Sequence, residues 1–376
     1  MCYAVAIVAA VPFIYYLLAI YASYHFFASR EPKNSGFTPP ISILKPVRGL
    51  DPHAYQNFAS YCRVDYPEYE ILFCVDRTDP AAPVIEKLRG DFPGRSIRIF
   101  YGPAQSAPND KVARLARLVS EAKFEHLVIS DGDVYVDPDY LRVLIGPMKD
   151  PGVGAVTCPY LLSNVRSFTQ RFQSIGMISD FYPGIFVARE LDGVKFALGP
   201  TIATTRSSLN SFGGYSAIAD RPGDDLLVGQ LIAKQGRRVV LLSYAVRTVA
   251  DFKSFTEFLN KRLRWTTEMR FLRPWGHFGL LLTFGLPWTL LAAALLPSPA
   301  LACVYIGFYV GLRIAMAWLV GIHGFRERST WKMMPLIALW DLQACLVWIL
   351  SFSRKTIHWR GLEYRIENGK LFKNTG

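Results

Sequence analysis

Asp131-Gly132-Asp133 closes the run His126-Leu127-Val128-Ile129-Ser130 and precedes Val134-Tyr135-Val136 and Asp137-Pro138-Asp139. The run reads as a buried strand whose turn presents two carboxylates separated by one glycine. Carboxylates so close repel each other unless something positive lies between them. A hard divalent cation is the usual partner, taking one or two carboxylates together with phosphate oxygens. An acidic turn capping the next helix is the other reading. Asp224-Asp225 opens a helical stretch that runs to about Gln235, after Gly213-Gly214. Acids in a first helical turn also complement the helix dipole, so this pair alone carries little. Asp76 ends another strand, where it could be a simple turn former. Lys261-Arg262-Leu263-Arg264-Trp265 sets guanidinium groups beside an indole. The planar fork of arginine suits phosphate, through two parallel hydrogen bonds; a lipid headgroup contact is the alternative for Arg264.

These groups need a scaffold. Strands are expected at 40–46, 69–75, 96–101, 126–130, 153–158 and 238–243, with a further apolar segment at 196–204. Helices are expected at about 82–89 and 111–123, the second carrying Val112, Leu115, Leu118 and Val119 at helical spacing. Strands alternating with helices indicate a parallel α/β sheet. Ligands bind such sheets at the C-terminal strand edge, where Asp76 and Asp131 would lie. No G-x-G-x-x-G or G-x-x-x-x-G-K-[ST] occurs, so dinucleotide binding and P-loop chemistry lose support.

The chain has 376 residues, 51% hydrophobic and only 19% charged, too few charges for an ordinary soluble enzyme. Residues 2–27 contain no Asp, Glu, Lys or Arg, enough to span a hydrocarbon core. They read as a retained anchor, because a secretory signal would begin with positive charge and end in a small-residue cleavage site. Arg30 and Lys33 follow it, which places the N-terminus outside and the next domain in the cytoplasm. Further spans are expected at about 278–297, 299–321 (holding Arg313) and 333–352 (holding Asp341). Ionisable groups at membrane depth should face the bundle interior or each other. Four full spans would strand the basic tail 353–376 outside, so one of the last three segments is expected to be re-entrant or interfacial. The net charge of +12 is compatible with nucleic acid, an anionic membrane or an anionic substrate. Between 253 and 275, Lys261, Arg262, Arg264, Arg270 and Arg273 interleave with Phe255, Phe258, Trp265, Phe271 and Trp275. With spans following directly, this suits an interfacial helix rather than nucleic-acid binding. Six scattered cysteines without C-x-x-C argue against a zinc site or disulfide framework and fit a reducing compartment. His53, His126, His277 and His358 lack metal spacing and read as structural or surface groups.

The order Asp76, Asp131-Gly132-Asp133, Asp224-Asp225, Lys261–Trp265 resembles the processive-type nucleotide-sugar glycosyltransferases, with their D, D-x-D, D, Q-x-x-R-W pattern. More closely it is similar to the ceramide glucosyltransferase family, glycosyltransferase family 21, and its bacterial branch acting on hopanoids. The likeness includes Ile43-Leu44-Lys45-Pro46-Val47-Arg48-Gly49, Pro67-Glu68-Tyr69-Glu70, Asn109-Asp110-Lys111-Val112 and Ile357-His358-Trp359-Arg360-Gly361-Leu362-Glu363-Tyr364-Arg365. It covers nearly the whole chain. Lys261 stands where the pattern has glutamine. The stretch Asp180-Phe181-Tyr182-Pro183 lacks the histidine of the animal ceramide enzymes and looks more like the hopanoid branch.

The resemblance implies a GT-A catalytic domain at 28–250, an α/β nucleotide-diphospho-sugar transferase fold. It would sit between a transmembrane anchor (2–27) and C-terminal transmembrane helices (278–352), with amphipathic interfacial helices at 251–277 and the tail at 353–376. It implies that Asp131 and Asp133 hold Mg2+ or Mn2+ against the donor diphosphate. Asp76 would contact the uridine, and Lys45, Asn109, Lys111 and Asp131 would line the donor site; a solvated helix face is the alternative for Lys111. Asp225 would be the general base of an inverting transfer, while Arg264 and Trp265 would close over diphosphate and acceptor. The implied partners are a UDP-sugar (glucose or N-acetylglucosamine) and the hydroxyl of a membrane lipid, ceramide or hopanoid, with no nucleic acid. The setting would be multi-pass, in a bacterial inner membrane, with the catalytic domain cytoplasmic. A polysaccharide synthase, which needs more membrane helices for its channel, and a non-catalytic transporter or scaffold are the alternatives.

Overall fold

A computed structural model describes residues 7–29, 36–250, 252, 254–359, 362–367 and 369–373. The chain forms two compact units. One comprises Glu31–Asn164, Val194–Asp251 and Thr356–Gly376; the other comprises Met1–Arg30, Val165–Gly193 and Phe252–Lys355.

The first unit is α/β. Its strands are β1 (Ile41–Pro46), β2 (Tyr69–Val75), β3 (Ser96–Tyr101), β4 (His126–Ser130), β5 (Val134–Tyr135), β6 (Val153–Thr157), β7 (Tyr160–Leu162), β8 (Thr201–Thr205), β9 (Arg238–Leu241) and β10 (Val246–Thr248). The main sheet has the order β3-β2-β1-β4-β8-β6-β9. Strands β1 to β4 are parallel to one another, and β8 runs antiparallel to both β4 and β6. Strand alternation divides the core between the two faces. Ile43, Ile71, Phe73 and Val128 pack with Phe58, Tyr61, Ile85 and Leu88 of the helices Ala54–Cys62 and Ala82–Asp91. Leu44, Leu72, Leu127 and Ile129 pack with Val112, Leu115, Leu118, Val228 and Ile232 of the helices Asp110–Glu121 and Asp224–Lys234. Burial on both faces explains why β1, β2 and β4 read as continuous apolar runs. The segment expected at 196–204 yields a strand only from Thr201, because Leu198 and Thr201 bridge around Gly199-Pro200.

The tail forms an antiparallel sheet of β11 (Thr356–Trp359), β12 (Leu362–Glu367) and β13 (Lys370–Lys373), with Ile357, Tyr364, Ile366 and Leu371 buried. The Leu371 amide donates to the Asp220 carbonyl at 2.6 Å, and Lys370 pairs with the Asp220 carboxylate at 2.7 Å.

The second unit is helical. Among the described residues, four helices are long and apolar enough to cross a membrane: Ile7–Ala28, Pro274–Leu295, Pro299–Gly324 and Thr330–Ser351. The basic-aromatic helix Phe255–Leu272 precedes the second of these. Val165–Gly193, inside the span expected for the catalytic domain, belongs to this unit. It consists of the helix Phe168–Gly176, the π-turn Met177–Phe181 and the helix Tyr182–Asp192. Phe186 stacks on Phe26 of the N-terminal helix at 4.2 Å. Arg313 and Asp341 face each other, with Nε to Oδ2 at 2.9 Å. Tyr309 donates to the same Oδ2 at 2.6 Å, and Arg313 Nη1 donates to the Ser179 carbonyl.

Candidate active site

The C-terminal ends of β1, β2 and β4 carry Lys45, Asp76 and Asp131. Lys45 is fully buried under the Asp131 turn. Its ammonium donates to the Asp131 carbonyl at 2.9 Å and to Ser130 Oγ at 3.3 Å, and lies 3.6 Å from the centre of the Tyr61 ring. Ser130 Oγ in turn donates to the Pro200 carbonyl at 3.0 Å. Burial pulls the Lys45 pKa down to about 7, against the opposing pull of Asp131 and Asp133. The resemblance places Lys45 at the donor; the geometry has it bearing on the backbone that presents Asp131.

Lys111 is the hub of the site. Its ammonium lies 2.8 Å from Asp131 Oδ1 and 3.2 Å from Asp224 Oδ2. Burial would lower its pKa, but Asp131, Asp224 and Asp225 outweigh that and hold it well above the ordinary lysine value. Lys111 is therefore no solvated helix face. The helix Asp110–Glu121 is aimed by its N-cap, where Asn109 Oδ1 accepts from the Val112 amide at 3.2 Å. The rest of Asn109 grips the loop ahead of the acidic helix: its amide donates to the Ala219 carbonyl and its Nδ2 to the Arg221 carbonyl, both at 2.9 Å. Gly223, with φ +64°, then turns the chain into Asp224-Asp225, a conformation glycine adopts freely.

Asp225 is partly buried beside this cluster. Desolvation, then the neighbouring Asp224 carboxylate, push its pKa up to about 6, with Lys111 acting in the opposite sense. Gly199 supplies the room. A Cβ there would lie 2.9 Å from Asp225 Oδ2 and 3.5 Å from Asp131 Oδ2, so both carboxylates converge on one point of backbone. Gly229, one helical turn beyond Asp225, lets the acidic helix approach Phe196-Ala197, where a Cβ would fall within 2.4 Å of backbone atoms.

Asp76 is held from behind. Arg114 donates to its Oδ2 at 2.6 Å and to Asp110 at 2.9 Å, and Arg48 pairs with Asp110 at 3.1 Å. Burial alone would raise the Asp110 carboxyl; Arg114 and Arg48 hold it below the usual range instead. Arg114 is buried while the Asp76 side chain is 43% exposed, so the guanidinium fixes a carboxylate that still faces outward. The sequence pattern does not single out Gly199, Gly229 or Arg114, because their roles exist only through residues distant in the chain. The Gly199-Pro200 pair is the one local signal.

Asp131 and Asp133 flank Gly132, against which the Asp51 carboxylate lies. Among the described residues no group of three or more His, Cys, Asp or Glu could hold a metal. Two hard carboxylates fit a cation that completes its shell with phosphate and water oxygens, as Mg2+ does. Arg264 and Trp265 lie on Phe255–Leu272 in the helical unit. Arg264 pairs with Glu268 one turn on, at 2.8 Å, and Lys261 lies 5.1 Å from the Trp265 ring. Five described cysteines, Cys62, Cys74, Cys158, Cys303 and Cys345, are free thiols.

The mixed sheet, with carboxylates gathered at the C-terminal edge of β4, has the GT-A fold. A mannosyltransferase from Pyrobaculum calidifontis, solved in complex with GDP-Man and Mn2+, has the same fold; its TM-score is 0.61 at 17% identity, covering 93% of this chain and 99% of that one. The chain belongs to glycosyl transferase family 21, whose model matches residues 4–372. Among curated relatives, ceramide glucosyltransferase 3 of Caenorhabditis elegans is 23% identical over 351 residues, 90% of this chain and 75% of that protein. Ceramide glucosyltransferase 1 of the same organism is 22% identical over 266 residues, 70% of this chain and 56% of that protein.

Proposed function

We propose that this chain is a membrane-embedded, inverting glycosyltransferase that moves a hexose, glucose or N-acetylglucosamine, from a UDP-sugar to the hydroxyl of a membrane lipid such as ceramide or a hopanoid. The observation that carries this reading is the convergence of Asp131, Asp224 and Asp225 around Lys111 in a member of family 21. A relative described as a ceramide glucosyltransferase over most of its length supports the lipid acceptor. So does a helical unit with four membrane-length apolar helices.

In this mechanism Asp225 takes the proton from the acceptor hydroxyl as that oxygen attacks the anomeric carbon. A pKa near 6 suits a general base, since the carboxylate is ionised at neutral pH yet basic enough to share the proton in the transition state. The bond from the anomeric carbon to the diphosphate breaks as the new glycosidic bond forms on the opposite face, which inverts the configuration. Asp76, aimed by Arg114, serves the uridine. Asp131 and Asp133 would hold Mg2+ or Mn2+, which supplies Lewis-acid neutralisation of the leaving diphosphate when bound. Lys45 supports the Asp131 backbone. Lys111 holds the acids together and places positive charge beside the donor. The family resemblance assigns Arg264 and Trp265 to the diphosphate and the acceptor. The catalytic unit faces the cytoplasm, and the membrane is a bacterial inner membrane.

Purified enzyme given a panel of UDP-sugars and lipid acceptors, with products read by mass spectrometry, tests the reading. A UDP-derived hexose joined to a lipid hydroxyl, with formation lost in excess EDTA, is the expected outcome. Transfer to growing polysaccharide alone would overturn the lipid acceptor, and unchanged transfer in EDTA would overturn the metal role.

A further inference from the structure

We infer that three of the four apolar helices cross the bilayer, while Thr330–Ser351 enters and leaves by the catalytic face and lays its leucine stripe against that single leaflet. This rests on the membrane reading above and adds which surface meets which lipid.

The N-terminal helix and Pro299–Gly324 lie side by side and run in the same direction. Phe13 meets Tyr305 and Phe308 at 5.6 and 5.8 Å, Arg313 lies 5.1 Å from the Tyr16 ring, and Phe27 meets Phe325 at 5.1 Å. The N-terminal helix ends at Ala28, and the chain enters the α/β unit at residue 31. An α/β unit with charged helical surfaces stays in water, so the Ala28 end marks the catalytic face. Gly324 then ends at the same face, and Pro299 begins at the opposite one. Only Leu296, Pro297 and Ser298 separate Pro299 from Leu295. Pro274–Leu295 has therefore already crossed, and the two form a hairpin through the membrane.

After Gly324 the chain is back at the catalytic face. It rejoins the α/β unit at Thr356 and is fastened there through Lys370 and Leu371 to Asp220. Thr330–Ser351 lies between two points on one face, so it does not cross. Its surroundings agree. It runs alongside the basic helix Phe255–Leu272 in the same direction, with Arg262 4.6 Å from the Trp340 ring and Arg270 donating to the Arg354 carbonyl at 2.6 Å. Its exposed residues Leu339, Leu342, Leu346, Ile349 and Leu350 recur every three or four positions and form one apolar face. Asp341, Gln343 and Ser351 are buried against the protein. That is the division expected of a helix seated in a single leaflet.

Single cysteines at Ser298, Ser329 and Ser353, all in connectors, test the assignment in sealed vesicles of known orientation. A membrane-impermeant maleimide is added from one side at a time, and the parent chain is labelled in parallel to subtract its native thiols. Ser329→Cys and Ser353→Cys should react from the same side, and Ser298→Cys from the other. Reaction of Ser329→Cys and Ser353→Cys from opposite sides, or of Ser298→Cys and Ser329→Cys from the same side, would overturn it. A protease-cleavable tag appended after Gly376 gives a second readout and should be cut only from the Ser353 side. Release of the parent chain from vesicles by alkaline carbonate would instead overturn the membrane reading itself.

Discussion

Each unit buries a cluster of opposite charges, and the two clusters are built on different terms. In the helical unit, Arg313 and Asp341 meet through two contacts, and Tyr309 and the Ser179 carbonyl take up the remaining valences. Arg313 and Asp341 pair directly, and the nearby Asp180 carboxylate accepts from Trp340 Nε1 at 3.1 Å. In the α/β unit one ammonium, Lys111, answers three carboxylates, and Asp225 is pushed up to about 6 by burial and by the neighbouring Asp224. A directly paired, well-bonded cluster holds a fold together. An overloaded one holds groups in readiness for a substrate that changes the charge balance.

Breaking the direct pair should cost the most stability. Arg313→Met leaves the Asp341 carboxylate buried without its partner, a loss of about 3–5 kcal/mol. Thermal unfolding in detergent should show it as a large drop in Tm, largely reversed in Arg313→Met/Asp341→Leu. A single variant as stable as the parent would contradict the structural role. Lys111→Met attacks the other cluster. The chain should stay folded while transfer falls by about 100-fold, the scale of losing one preorganised positive group. Loss of folded protein with the residual specific activity intact would make Lys111 merely structural.

Gly199→Ala is a finer probe. The backbone can accept it, but its Cβ displaces the Asp225 carboxylate. The rate should drop about 10- to 100-fold, the cost of misplacing a catalytic group by a fraction of an ångström to an ångström. Tm should barely move. A normal rate would mean that the Asp225 carboxylate need not lie against Gly199. The smallest effect is in pH. Asp225 works as a base only when deprotonated, so the rate should be flat above pH 6 and fall about tenfold per unit below it. A profile that stays flat well below pH 6 would remove Asp225 from the proton transfer.

The same contrast explains what the sequence makes legible. Asp131, Asp225 and the strands and helix that carry them stand out because carboxylates bordering an apolar run are a local pattern. Arg313 and Asp341 stand out because charge in an apolar span is conspicuous, and the two do pair. The hold of Arg114 on Asp76, 38 positions away, leaves no local trace. Neither does the clearance at Gly199. The helices of Val165–Gly193 are too short to read as spans, although Phe172, Ile175 and Ile178 are buried. In the tail, the alternation of Tyr364 and Ile366 is hidden by the lysines and arginines around it. The fold class follows from local apolar periodicity, while the support of the site depends on contacts that only the tertiary structure brings together.

Asp225→Asn tests the central claim most directly. It keeps size and most hydrogen bonding while removing the base. Incorporation of radiolabel from the UDP-sugar into the lipid fraction should fall by about 10²–10⁴-fold, with Tm unchanged or raised as a buried charge is lost. Turnover within a few-fold of the parent would contradict the assignment of Asp225 as the base.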